Sequence, residues 1–355
     1  MNQGNQILTE QRGSLGVITL NRPEALNALS LEMIRQIAVT LKQWESDDGI
    51  KAVLFLGAGD RAFCAGGDIK SFYSSGMDYR RGHVDLKVPA LFFGEEYSLN
   101  RQIFHYPKPT ISVMDGIAMG GGYGVAGNCK HRLATANTVF AMPEVSIGFF
   151  PDVGSVYHLN RSPNHFGRYL ALTGAHVGAG DVIAAELADG YINAQDIDAL
   201  VDLLVEGDVE HALGAHICQS PAAEVFEDHK DTIVEVFGSL DVLSICASLR
   251  SHESDWAKDV LEQILSRSPT SVLVTATYLS QVEGADFDEV IAMDYQLAQH
   301  FINYHDMYEG IRAALIDKDK KPVWNPATLD TVKPEEIARY FQAGRYSFED
   351  VRIFA

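Results

Sequence analysis

The spacing of apolar positions changes repeatedly along this chain, and each change marks an element. Residues 7–10 and 15–20 are short apolar stretches on either side of Arg12-Gly13-Ser14, which predicts two strands joined by a hairpin turn. After Asn21-Arg22-Pro23 the spacing lengthens. Leu31, Ile34, Ile37, Leu41 and Trp44 recur at helical intervals behind Ser30, the pattern of a capped amphipathic helix that ends at Asp47-Asp48-Gly49. Residues 52–56 are continuously apolar, as a strand buried on both faces requires, and a helical crossover before such a strand predicts parallel pairing. The polar, mixed segment 71–88 predicts a surface loop or a mobile flap over a site. A helix is predicted from Phe92 to about Phe104, and a strand over residues 110–114.

The stretch 115–160 organises the rest. Gly120-Gly121-Gly122 ahead of small residues reads as a tight turn opening a buried helix. The first turn of a helix carries unpaired N–H groups and the positive end of the dipole, which suits an oxygen that gains negative charge. Close packing alone is the competing explanation for such glycines. A short apolar strand over 139–141 then leads to Met142-Pro143-Glu144, and Pro151-Asp152-Val153-Gly154 opens the next segment. Either acid alone also fits a helix cap or first-turn charge. Two of them downstream of a candidate oxyanion site form a constellation.

Beyond Asp152, helices are predicted ending at Gly174 and over 179–188 and 197–204. From about residue 205 the pattern is mostly helical, with amphipathic segments at 256–265 and 288–300 and breaks at Pro269 and Lys318-Asp319-Lys320-Lys321-Pro322. This divides the chain into an α/β core over 1–204 and a mainly helical region over 205–355.

Composition narrows the chemistry. A chain of 355 residues with 46% hydrophobic residues supports a large core, and a formal net charge of −20 argues against non-specific binding to nucleic acid or anionic membrane. Cys64, Cys129, Cys218 and Cys246 form no CxxC pair and read as buried free thiols of a reducing cytoplasm. The 12 histidines show no metal-ligand spacing, so no metal site is expected. The first residues lack an apolar signal segment, and cytoplasmic location is the expectation.

Three motifs carry a family resemblance: Asn21-Arg22-Pro23-Glu24-Ala25-Leu26-Asn27-Ala28-Leu29, then Phe63-Cys64-Ala65-Gly66-Gly67-Asp68-Ile69-Lys70, then Asp115-Gly116-Ile117-Ala118-Met119-Gly120-Gly121-Gly122. Together they resemble the enoyl-CoA hydratase/isomerase (crotonase) superfamily. Met142-Pro143-Glu144, Phe150-Pro151-Asp152-Val153-Gly154 and the segment 309–319 are similar to its 3-hydroxyisobutyryl-CoA hydrolase branch. The resemblance implies an α/β fold, a crotonase-like spiral of ββα units with a helical C-terminal region, although no repeat is visible in the sequence. It implies a CoA-binding loop at Ala65, Gly66, Asp68 and Ile69, oxyanion donors at Gly67 and Gly121, and a substrate contact at Glu96. The catalytic acids it implies are Glu144 and Asp152. The lysine-rich run 318–321 is a candidate for the CoA phosphates or an ordinary solvated turn.

Hydratases of the superfamily carry a glutamate two residues after the glycine triplet, where this chain has Gly124; the added acid is Asp152. That departure points to hydrolysis of a short 3-hydroxyacyl-CoA thioester, 3-hydroxyisobutyryl-CoA in the resembled branch, a step of valine catabolism. Glu144 then either attacks the carbonyl or acts as general base on water, and Asp152 positions water or the substrate hydroxyl, or moves protons. An unperturbed glutamate, near ~4.3, is already ionised at neutral pH. The alternatives are an enoyl-CoA hydratase or isomerase with reassigned acids, and a CoA-binding protein without turnover. No cofactor is expected beyond the CoA of the substrate. The expected partner is acyl-CoA, with no nucleic acid or membrane, and a homo-oligomer is compatible with this.

Overall fold

The structure, a computed structural model, describes residues 5–351. Strands β1 (Ile7–Arg12) and β2 (Leu15–Leu20) form the expected hairpin, turning at Gly13 with φ +54°. The Ser30 hydroxyl accepts the Met33 N–H at 3.2 Å and caps the helix Leu31–Glu45, which buries Met33, Ile34, Ile37, Ala38 and Leu41. The chain returns as β3 (Ala52–Gly57), parallel to β2. It then lays down β4 (Ala62–Cys64), β5 (Thr110–Met114), β6 (Ile117–Met119), β7 (His131–Ala134), β8 (Val139–Ala141), β9 (Val177–Gly178) and β10 (Gly190–Tyr191).

Two sheets result. One has the order β1-β2-β3-β5-β7-β10 and the other β4-β6-β8-β9. Successive passes thus give one strand to each sheet: β3 then β4, β5 then β6, β7 then β8. Within each sheet these strands run parallel. This is the ββα spiral, a repeat of backbone geometry that leaves no repeat in the side chains.

The polar segment after Ile69 is not a loop or flap. It is a helix, Ile69–Arg80, and the next helix runs Lys87–Phe104 rather than starting at Phe92. The Asp68 carboxylate accepts the Ser71 N–H at 3.2 Å and caps the first of these. Its exposed face hides a narrow buried stripe, Phe72 and Gly76. Phe72 packs on Phe93 with ring centroids 5.0 Å apart. Because the second helix begins at Lys87, Glu96 sits in mid-helix and not in a first turn.

The helix expected over 179–188 stops at Ala184, two residues before Glu186 at φ +58°. Three cysteines are buried as expected, but Cys218 is exposed.

Among the described residues no strand follows Tyr191, and the chain from 205 onward is helical. These helices share a core with the strands: one cluster of buried side chains runs from Ile7 to Phe348. The helix Phe287–Phe301 lies along Lys87–Phe104. Phe104 stacks on Phe287 with centroids 3.9 Å apart, and Arg101 grips Asp288 through two bonds of 3.0 and 2.9 Å.

Candidate active site

The site is built from two glycine turns, one from each of two successive passes of the spiral. The first follows β4. Asn27, fully buried, donates its amide to Ala58 O at 2.9 Å and Ala62 O at 2.8 Å. Arg22 donates to Ala28 O at 2.7 Å and to the Asp68 carboxylate at 3.2 Å. Leu29 N–H bonds Gly66 O and Asp68 N–H bonds Leu29 O, both at 2.8 Å. These bonds use the groups on either side of Gly67 and fix its peptide while leaving its own N–H without a protein acceptor among the described residues.

The second turn follows β6, and each of its glycines is required for a separate reason. Gly120 has φ +50°, a backbone region L side chains rarely adopt. A Cβ at Gly121 would lie 2.2 Å from Glu96 Oε1 and 3.1 Å from Gly67 N, and one at Gly122 would lie 2.1 Å from Cys64 O. The helix Gly121–Ala126 follows, entirely buried. The two turns are therefore in contact, and the Gly121 N–H, like that of Gly67, meets no protein acceptor among the described residues.

The acids come from the third pass and from the helix covering it. Glu144 begins the 3-10 turn Glu144–Ile147 after β8, and Asp152 precedes the helix Ser155–Leu159. Glu96, Glu144 and Asp152 are 2%, 6% and 5% exposed, and among the described residues no lysine, arginine or histidine pairs with any of them. Glu96 Oε1 and Glu144 Oε2 lack any hydrogen-bond partner. The Tyr97 hydroxyl donates to Asp152 Oδ2 at 2.6 Å.

Burial without a cation has the expected electrostatic result. It pushes the Glu144 carboxyl well above the ordinary range, with the charge of Asp152 adding to the effect. Glu96 is raised for the same two reasons. Asp152 is pushed up to about 7 by burial, against the Tyr97 hydrogen bond, which pulls it down. Glu144 is therefore not the unperturbed glutamate expected from sequence. Burial and the charge of Asp152 thus favour the protonated forms of Glu96 and Glu144.

One cavity of about 890 Å³ is lined by Ala65, Gly66, Gly67, Asp68, Ile69, Glu96, Gly121, Glu144 and Asp152, so the fold brings the candidate acids, oxyanion glycines and CoA-loop residues to one place. Phe93, Ile147 and Phe149 supply an apolar wall, and Met307 and Leu315 complete it from the C-terminal region. Arg22, Arg61 and Lys70 also line it. The lysine-rich run 318–321 does not: it is exposed, and its loop folds back so that Asp317 and Asp319 each bind Arg312 at 2.7 Å.

Gly124 faces away from this cavity into a tight junction. A Cβ there would lie 2.7 Å from Val153 Cβ and 2.9 Å from Asn100 Nδ2, so the position that carries a glutamate in hydratases has no room for a side chain.

Sequence reading missed Tyr97, Arg22, Met307 and Leu315. It also missed Asp294, which is fully buried and bonds Gly154 N–H at 2.7 Å. A signal for Asp294 exists: it falls on the buried stripe Val290, Ile291, Leu297, Ala298 and Phe301, where helical spacing calls for an apolar residue.

The chain as a whole is similar to known proteins. The family model described as enoyl-CoA hydratase/isomerase covers residues 15–341. The chain is 40% identical over 348 residues to "3-hydroxyisobutyryl-CoA hydrolase, mitochondrial" of Rattus norvegicus, spanning 95% of this chain and 89% of the relative. It is 38% identical to the protein of that name from Homo sapiens, with the same 95% and 89% coverage. A solved carnitinyl-CoA dehydratase from Mycobacterium thermoresistibile superposes with a TM-score of 0.91 at 37% identity, over 97% of this chain and 98% of that one. An enoyl-CoA hydratase from Rhodobacter sphaeroides 2.4.1 superposes with a TM-score of 0.89 at 33% identity, over 96% and 98%. With the ββα spiral, the paired glycine turns and a match over nearly its whole length, this chain belongs to the enoyl-CoA hydratase/isomerase family.

Proposed function

We propose that this chain hydrolyses 3-hydroxyisobutyryl-CoA to the free acid and CoA, the activity named for its curated relatives. Valine degradation is the pathway this substrate implies. The observation that carries the reading is the placement of Glu144 and Asp152 in one cavity with the free N–H groups of Gly67 and Gly121.

The thioester oxygen lies against the two N–H groups, whose dipoles favour the negative charge that develops on attack. Glu144 either attacks the carbonyl carbon, forming an anhydride that water opens, or takes a proton from the attacking water. In the first route the carbon–sulfur bond breaks with its electron pair on sulfur, and the thiolate needs a proton. An acid held near neutrality is matched to that transfer, and Asp152 at about 7 is such a group. Attack or base catalysis by Glu144 uses its charged form and proton delivery uses the protonated form of Asp152, so the active arrangement is the reverse of the one in which the charge of Asp152 raises Glu144.

The segment from Ala65 to Ile69 receives the CoA moiety through its main chain. The Asp68 carboxylate is already engaged by Arg22 and by Ser71 N–H, so Asp68 contributes backbone rather than side chain. Arg22, Arg61 and Lys70 are the cations available to its phosphates. Gly124 separates this reading from hydration of an enoyl-CoA, because the second acid has no place to stand. The test is release of CoA thiol from 3-hydroxyisobutyryl-CoA beside hydration of crotonyl-CoA. Thiol release supports hydrolysis; fast hydration with no thiol release overturns it.

A further inference from the structure

Asp152 opens a turn closed by the Ser155 N–H, which donates to Asp152 O at 2.9 Å, and two residues inside that turn have positive φ. Val153, a β-branched residue, has φ +58°, and Gly154 has φ +76°. Consecutive residues in the left-handed region need outside support. Asn128 donates to Val153 O at 3.1 Å, and Gly154 N–H donates to Asp294 Oδ2 at 2.7 Å. Asp294 comes from the middle of the helix Phe287–Phe301.

The other oxygen of Asp294 counts the protons. Tyr278 Oη lies 2.6 Å from Asp294 Oδ1 and 2.9 Å from Val290 O. A phenol has one proton, and a carbonyl oxygen can only accept. A single Tyr278 proton would have to be divided between the two acceptors; each contact is a full hydrogen bond when that proton points to Val290 O and Asp294 Oδ1 carries a proton of its own, donated to Tyr278 Oη. We propose that Asp294 is held as a neutral carboxylic acid that pins the turn carrying Asp152, making it a positioning residue for the hydrolysis proposed above.

The surroundings agree. The titratable groups facing Asp294 are Asp152 on the turn, Tyr278 on the helix Pro269–Gln281, Tyr97 on Lys87–Phe104 and Glu144 beyond them, all acidic or neutral. Burial, and then the charge of Asp152, push Asp294 well above the ordinary carboxylate range, against the hydrogen bonds of Tyr278 and the Gly154 N–H, which pull it down. A neutral acid at this position holds the turn without placing a second fixed negative charge beside Asp152.

The test uses the isostere. An asparagine at 294 presents an N–H to Tyr278 Oη and an oxygen to Gly154 N–H, the same donor and acceptor as the protonated acid. Asp294→Asn therefore keeps kcat close to wild type, whereas Asp294→Leu, which leaves Gly154 N–H unpaired, loses about 10²-fold in kcat with KM little changed. Infrared difference spectra of wild type minus Asp294→Asn at neutral pH show a protonated-carboxyl C=O stretch that the variant lacks. Absence of that band overturns the neutral acid. So does an Asp294→Asn variant as impaired as Asp294→Leu, and a folded Asp294→Leu variant with wild-type kcat overturns the positioning role. The spectrum and the Asn variant remain decisive if Asp294→Leu does not fold. The band is read without substrate, so it stands or falls independently of the proposed reaction.

Discussion

The Tyr97 hydroxyl donates to Asp152 Oδ2 at 2.6 Å, with Tyr97 fully buried and Asp152 nearly so. Burial drives Tyr97 well above its ordinary range, so it remains a neutral donor. Its bond lowers Asp152 against the larger desolvation effect that raises it. Tyr97→Phe removes only that opposition. If Asp152 delivers a proton to the leaving thiolate, activity falls as pH rises through its titration. The variant then shifts that alkaline limb of the kcat/KM profile to higher pH. A pH series on the two proteins checks this, and an unmoved limb removes Asp152 as the group responsible.

Gly124 tests the steric argument separately from the chemistry. A methyl group there meets Val153 Cβ at 2.7 Å and the Asn100 amide at 2.9 Å. Both neighbours are buried in the wall behind the acids. Gly124→Ala is expected to cost about 1–3 kcal/mol of stability, the usual range for overpacking. Urea unfolding measures it. A variant as stable as wild type shows that the junction has slack and that an acid there is not excluded by space.

The buried acids also set how stability depends on pH. A carboxyl whose pKa rises on folding holds its proton more tightly in the native state, so it favours folding in acid and loses that contribution as pH rises through the folded value. Asp152 moves from 3.8 to about 7, so its contribution is full below 3.8 and gone above about 7. Asp152→Asn cannot charge and escapes this loss. Its melting temperature relative to wild type should therefore increase from mildly acid to mildly alkaline buffer. A difference that is constant with pH would show that Asp152 is not perturbed by burial.

Much of this was legible beforehand because it is written in local chemistry. The glycine-rich turns at 65–67 and 120–122 and the acids directly after prolines, at Glu144 and Asp152, stand out in a single sequence, and the family resemblance supplies the donor roles of Gly67 and Gly121. What was not legible depends on packing between distant elements. The helix Ile69–Arg80 was hidden because its buried stripe is narrow and its remaining surface is polar. Nothing local marks Met307 or Leu315 as cavity residues, and only the return of the C-terminal region to the cavity makes them its wall. The raised carboxyls were invisible for the same reason: a pKa is set by what surrounds a group, and among the described residues no cation pairs with these.

The central claim is that Glu144 performs the hydrolytic step. The most direct measurement is turnover of 3-hydroxyisobutyryl-CoA by Glu144→Gln, read as CoA thiol released, with binding of the acyl-CoA measured on the same preparation. The amide keeps the size of the side chain and loses both nucleophilicity and basicity. The account predicts a loss of at least about 10²–10⁴-fold in kcat with binding retained, the range a general base alone supplies, and a larger loss if Glu144 attacks directly. A Glu144→Gln enzyme that releases thiol at the wild-type rate would contradict it.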